Sequence, residues 1–234
     1  NHTLVFDAGP KFSDSFNTGT AIVKPFLQSQ GIPHIDTLII SHGDNDHIGG
    51  AIPLINETKT LRVLSSVPAL LPNAQACYSG QEWQWDGVLF SVLHPTVTDH
   101  GSENNLSCVL RISNSAGSVL LTGDIEKEAE ALLVQRYSSK LKSTLLIAPH
   151  HGSKTSSSMA FINAVSPKLT LFPIGFRNRY HFPHNIVSKR YNQKEISLLN
   201  TAEQGAIQLK FSIHSISEPQ QWRQSNHKIW TEEE

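Results

Sequence analysis

The chain has 234 residues, 38% of them apolar and 17% charged, with 12 histidines and a formal net charge of −1. That length allows a substantial core, and the composition excludes a disordered or collagen-like chain. No stretch approaches the roughly twenty apolar residues of a membrane-spanning helix, no signal-peptide pattern opens the sequence, and the net charge by itself points to no polyanion.

In chain order, short apolar runs predict strands at 4–6, 37–40, 61–64, 88–93, 108–112, 119–121, 144–148, 169–173 and 206–213. Helical periodicity predicts helices at 20–30, 49–55, 125–137, 157–165 and 185–193. Continuous apolar strands suit a sheet covered by helices, so one α/β domain over residues 1–214 is expected. Residues 215–234, with Gln220-Gln221 and the closing glutamates, read as a loosely structured tail. The opening, a strand running straight into Asp7-Ala8-Gly9, resembles an excised piece rather than a natural amino terminus.

Cys77 and Cys108 are too few for a disulfide scaffold and lie in no metal-binding spacing. Cys108 is assigned to the core, and the redox compartment stays open. Charge is unevenly spread. Residues 1–130 carry six Lys/Arg against fourteen Asp/Glu, whereas 131–194 carry ten Lys/Arg and no acid. Such a stretch projects a positive field, unless its lysines are merely solvated surface.

The ten residues 41–50, SHGDNDHIGG, follow the apolar run Leu38-Ile39-Ile40 and place His42, Asp44, Asp46 and His47 within six positions. Imidazoles and carboxylates are ligands for divalent cations. Crowding them without a lysine or arginine is costly unless a cation neutralises the carboxylates. The bland alternative is an Asp-rich turn closed by Gly49-Gly50. Three further strands end in the same manner, delivering Asp124, then His150-His151-Gly152-Ser153, then Arg179-Tyr180-His181-Phe182-Pro183-His184. Singly, Asp124 reads equally as a helix N-cap and His184 as a satisfied core histidine.

SHGDNDHIGG, LLTGD and APHHGS in this order resemble the metallo-β-lactamase superfamily, and within it the hydrolase domains of the ComEC branch of membrane DNA-uptake channel proteins. The resemblance covers most of residues 4–212. It implies a four-layer αββα sandwich lacking its first strand or strands. It also implies metal ligation by His42, Asp44, Asp46, His47, Asp124 and His184, with Asp124 bridging two ions and Asp7 as a structural hydrogen-bonding residue. His150 and His151 would hold a scissile phosphate or protonate a leaving group. Two departures bear on the metal. Asp44 replaces the second histidine of the H-x-H-x-D-H signature. The third-motif histidine is missing from SENNLS, where Asn105 is a weak ligand candidate. Carboxylate-rich sites are harder, which favours manganese with zinc as the alternative.

Two divalent ions activate water and stabilise the attacking and leaving oxygens of an in-line displacement. Asp46 would ligate and orient. Lys154, Arg177, Arg179 and Ser153 would hold the phosphodiester, with Ser156 to Ser158 and the helix they open forming a phosphate seat. No aromatic ladder for base stacking is evident, so contact with the DNA backbone, independent of base sequence, is expected. The resemblance then implies a metal-dependent deoxyribonuclease tethered at the inner membrane on its periplasmic or extracytoplasmic face. Its partners would be DNA and the rest of a membrane-embedded parent chain, with no membrane insertion by this segment, and it would degrade the strand that is not imported. A small-phosphoester hydrolase of the same fold, such as a phosphorylcholine esterase, is one rival. A non-catalytic domain that guides DNA is another, though such a domain gains nothing from Asp44, Asp46 and Asp124.

Overall fold

A computed structural model of the chain describes residues 2–226. The chain divides into two compact units, Asn1–Leu110 and Arg111–Glu234. The first is built on a parallel sheet in the order β1-β2-β3-β4, from β1 (Leu4–Phe6), β2 (Thr37–Ile40), β3 (Val63–Ser65) and β4 (Gln75–Ala76). Every residue of β2 is buried, as an inner strand covered on both faces requires. Leu38 and Ile40 pack with Ala8, Leu27, Ile35 and Leu54 in one core cluster, each large side chain contributing about 1.5–3 kcal/mol of transfer free energy.

A π-helical turn, Gly19–Val23, leads into α1 (Lys24–Ser29). Pro25 lies in the first turn of α1, where its missing N–H costs least. The four-residue α2 (Asn45–Ile48) and α3 (Ala51–Glu57) are separated by Gly49 and Gly50. A Cβ on Gly50 would run into the Ala8 carbonyl and the Gly19 backbone, so only glycine fits there. An antiparallel hairpin, β5 (Glu82–Trp85) with β6 (Val88–His94), completes the unit. Cys77 and Cys108 form a disulfide with Cα atoms 6.1 Å apart, within the usual range.

The unit boundary falls within β7 (Val109–Ser113). The second unit continues with β8 (Ser118–Leu121), α4 (Lys127–Tyr137), β9 (Leu145–Ile147), α5 (Met159–Val165), β10 (Leu169–Phe172), α6 (Asn185–Asn192) and β11 (Ser197–Asn200). Strands β8, β9, β10 and β11 are mutually parallel neighbours. Their core includes Leu120, Leu133, Leu146, Phe161, Phe172 and Tyr191, all buried. After α7 (Thr201–Gln204), the predicted strand at 206–213 shrinks to β12 (Ile207–Gln208), paired antiparallel with β13 (Gln220–Gln221) and followed by α8 (Trp222–Ser225). Alternating polar residues Gln208, Lys210 and Ser212 leave that segment little apolar face to bury. Residues 215–226 of the expected tail thus carry β13 and α8, and its remainder lies outside the described residues.

Strands β1–β4 of the first unit run parallel to one another, as do β8–β11 of the second, so each set delivers its loops at the carboxyl ends of its strands. In the first unit β1 ends at Asp7 and β2 at Ser41-His42. In the second, β8 ends before Asp124 and β9 before His150-His151.

Candidate active-site loops

In the first unit the Asp7 carboxylate organises residues 41–47. It accepts the Ser41 backbone N–H at 2.7 Å and the Ser41 hydroxyl at 2.9 Å, and it pairs with His47 Nδ1 at 2.8 Å. Because the Ser41 hydroxyl proton goes to Asp7, its oxygen is left to accept from His42 Nδ1 at 3.0 Å. Both Nδ1 atoms therefore carry protons, and both Nε2 lone pairs point elsewhere. His42 Nε2 lies 3.4 Å from Asp44 Oδ2, and His47 Nε2 lies 3.7 Å from Asp46 Oδ2. Asp44 stands at the N-cap of α2, and its carbonyl accepts the His47 N–H at 2.9 Å. The two imidazoles are buried, with ring centroids 4.1 Å apart, while Asp44 and Asp46 are exposed.

In the second unit Asp124 is buried, and its Oδ2 faces His151 Nε2 at 3.5 Å and His150 Nε2 at 3.7 Å. His151 Nδ1 sits 2.8 Å from the Pro173 carbonyl, which can only accept. Its proton is thereby fixed on Nδ1, leaving Nε2 towards the carboxylate. His150 Nδ1 lies 3.4 Å from Glu126 Oε1. The backbone here is left-handed for three consecutive residues, with φ of 48° at His150, 54° at His151 and 85° at Gly152. His184 caps α6, donates its N–H to the Gly152 carbonyl at 3.0 Å, and sets its ring edge-on to Phe182.

These separations test whether a cation fits. Two ligand atoms about 2.1 Å from one ion at a tetrahedral angle stand about 3.4 Å apart. The imidazole–carboxylate pairs in the two units, at 3.4–3.7 Å, match that spacing and are long for a direct hydrogen bond. With Nδ1 already protonated, a neutral ring would aim its lone pair at a carboxylate, which is unfavourable unless a cation or a second proton lies between. The donor set fits divalent metal ions.

Other expected site residues lie as follows. Ser153 is buried, its hydroxyl 2.9 Å from the Thr155 hydroxyl and its N–H on the His150 carbonyl. Lys154, Arg177 and Arg179 are all exposed, Arg177 over the Phe176 ring and Arg179 over the Tyr180 ring at 4.8 Å. Asn105 lies in a short 3₁₀ turn, and its backbone carbonyl meets His94 Nε2 at 2.7 Å. The serine phosphate seat does not form. The backbone N–H groups of Ser157 and Ser158 both point at the Glu130 carboxylate, and the Ser156 hydroxyl is spent on the Pro149 and Ser153 carbonyls. Burial raises the Glu130 pKa, against the opposing pull of those serine donors and Arg190. Sequence reasoning missed Glu130 because an acid in the first turn of a helix ordinarily faces solvent. Aromatic stacking was also missed: Tyr180 lies on Phe182, with ring centroids 5.4 Å apart, and Phe182 lies on His151 at 6.2 Å.

The family model of the metallo-β-lactamase superfamily matches residues 1–175. The chain belongs to that superfamily: it has a metal-dependent hydrolase fold carrying candidate metal-binding His and Asp groups. It is similar to the competence protein ComA of Neisseria gonorrhoeae, at 37% identity over 89% of this chain and 29% of the relative. It is also similar to the ComE operon protein 3 of Bacillus subtilis (strain 168), at 34% identity over 84% of this chain and 27% of the relative. It thus spans under a third of these curated relatives. Among solved structures, Tm1679, a metal-dependent hydrolase of the β-lactamase superfamily, matches with a TM-score of 0.51 at 11% identity, covering 85% of each chain. That likeness supports the fold alone. Among the described residues no helix is long and apolar enough to cross a membrane.

Proposed function

We propose that this chain is the metal-dependent nuclease domain of a DNA-uptake channel protein, hydrolysing DNA phosphodiesters of the strand that is not imported. The observation that carries this reading is the pair of Nε2 atoms of His42 and His47, each held by its Nδ1 partner and aimed at a carboxylate, 3.4 and 3.7 Å away respectively. His42, Asp44, Asp46, His47, Asp124 and His184 are the proposed ligands of two divalent ions, manganese before zinc because of the oxygen-rich set. The ions, when bound, supply Lewis acidity towards a phosphate. Asp46 orients the attacking water. His150 and His151 act at the leaving group, where a protonated Nε2 can donate. Lys154, Arg177 and Arg179 neutralise the backbone. Ser153 acts through the His150 carbonyl that its N–H holds. The disulfide favours an oxidising, extracytoplasmic location, and DNA and the membrane-embedded remainder of the parent are the partners.

The test is incubation of the purified chain with labelled single- and double-stranded DNA across manganese, magnesium and zinc. Cleavage with manganese and loss of activity on chelation are expected. Binding should weaken with salt by roughly 0.7 log units per log unit for each single-strand phosphate contacted. A flat salt response, with a chromogenic phosphodiester preferred over every oligonucleotide, would overturn the nuclease assignment.

A further inference from the structure

Immediately after Asp7 the chain forms a small hairpin whose rim is bonded to the 41–50 loop. Ala8 donates its N–H to the His47 carbonyl at 2.9 Å, and the Gly50 N–H reaches the Gly9 carbonyl at 2.8 Å. Asn45, between Asp44 and Asp46, receives the Lys11 N–H on Oδ1 at 3.3 Å and returns Nδ2 to the Lys11 carbonyl at 3.0 Å. The Phe12 N–H closes the hairpin on the Phe16 carbonyl at 2.9 Å. Its tip carries Phe12 and Phe16, 66% and 50% exposed, stacked with ring centroids 5.4 Å apart at 27°. Lys11 is paired with Asp14 at 2.8 Å, which leaves the rings as the tip's dominant recognition surface. Two large aromatic faces held in water at a rigidly anchored tip mark an interaction surface.

We propose that the Phe12–Phe16 pair is a stacking platform for unpaired nucleobases of a single strand whose phosphates lie along residues 42–47. This inference rests on the nuclease reading and adds strand selection to it. A stacked aromatic pair takes the face of any base, so it contributes affinity without sequence preference. It discriminates against a duplex, whose bases are already stacked. The anchoring through Asn45 makes the platform continuous with the carboxylates on either side of that residue. Base and phosphate are thereby recognised by neighbouring segments of one unit.

The experiment compares a fluorescent single-stranded oligonucleotide with an abasic one of equal length, both phosphorothioate-linked to resist cleavage, by anisotropy with manganese present so that the carboxylates along residues 42–47 are neutralised. The unmodified chain should bind the base-bearing strand at least about tenfold more tightly, within the range of one stacked base. Phe12→Ala/Phe16→Ala should abolish that preference. It should leave the melting temperature and the affinity for manganese unchanged. Phe26→Ala, at another exposed aromatic in the same unit, should keep the preference. Equal binding of the two oligonucleotides by the unmodified chain would overturn the platform, as would retention of the preference by the double variant. Equal loss in Phe26→Ala would reassign the pair to a general apolar contact and overturn it too. If the unmodified chain hydrolyses the chromogenic diester but neither binds nor cuts any oligonucleotide, the nuclease reading fails and the platform falls with it.

Discussion

Residues 41–47 and residues 149–158 each set two histidines at the carboxyl end of a buried parallel strand, and they hold them in different ways. In the first loop the backbone is ordinary, an extended Asp44 entering a helical turn, and one carboxylate does the positioning by taking three hydrogen bonds. In the second, three consecutive left-handed residues aim the side chains, and the segment that follows is clamped from outside. Glu130 takes the N–H groups of Ser157 and Ser158, Arg190 donates to the Ser156 and Ser157 carbonyls, and Tyr191 donates to the Ser157 hydroxyl. A ligand set positioned by one side chain is vulnerable at that side chain. A set positioned by backbone conformation is vulnerable where the conformation needs a particular residue.

The largest effects should come from ligand removal in either loop. Asp46→Ala and Asp124→Ala should abolish DNA cleavage, by about a thousandfold or more, with circular dichroism unchanged, because each removes a carboxylate rather than core volume. Normal cleavage by Asp124→Ala would remove Asp124 from the ligand set. Next, Asp7→Asn should weaken manganese binding or turnover by about 10–100-fold, as loss of a carboxylate behind a metal-binding imidazole does; calorimetric metal titration reads it directly. In the other loop Gly152→Ala should act through folding. Its φ of 85° and the Phe172 ring beside the missing Cβ predict a loss of about 1–3 kcal/mol in denaturant unfolding, with metal affinity retained in the folded fraction. His150→Ala and His151→Ala should slow turnover more than they reduce metal binding. If metal affinity fell in step with rate, both would be ligands first.

The smallest effect is a pH dependence. Burial raises the Glu130 pKa in the folded chain above its unfolded value. Its contribution to stability is therefore full below the ordinary glutamate pKa and is lost as pH rises through the raised one. The melting-temperature difference between unmodified chain and Glu130→Gln should shift against the unmodified chain as pH rises over that window. A constant difference would show that Glu130 acts only through hydrogen-bond geometry.

Strands at 4–6 and 37–40 were legible to the residue, because each is a short continuous apolar run, half-buried in β1 and, after Thr37, fully buried in β2. So was the order of polar bursts that supplies the candidate ligands. The hairpin strand β5 was missed although Glu82-Trp83-Gln84-Trp85 carries the period-2 alternation of a half-buried strand, its polar residues exposed and its tryptophans half-buried, because it has no continuous apolar run. The helix expected at 20–30 opens instead as a π turn before Pro25, and the one expected at 49–55 starts two residues later, at Ala51, beyond the two glycines. Within the loops, residue identity showed which atoms can ligate but not which nitrogen of each imidazole is committed to Ser41, Asp7 or Pro173. Those partners are 1 to 40 positions away in the chain. Glu130 and the Phe12–Phe16 pair were invisible for the same reason: their meaning lies in what the backbone brings beside them.

The bond between Cys77 and Cys108 closes a ring across a sequence separation of 31 that encloses the whole β5–β6 hairpin. A ring of that size removes about 3.7 kcal/mol of conformational freedom from the unfolded chain in the loop-entropy description. Its far end sits against the candidate active-site loop, for the Cys108 N–H donates to the Ser41 carbonyl at 2.8 Å. Reductant added during purification therefore acts on the same segment that orients His42, and the oxidised and reduced chains should be separable by their resistance to urea before any metal is added.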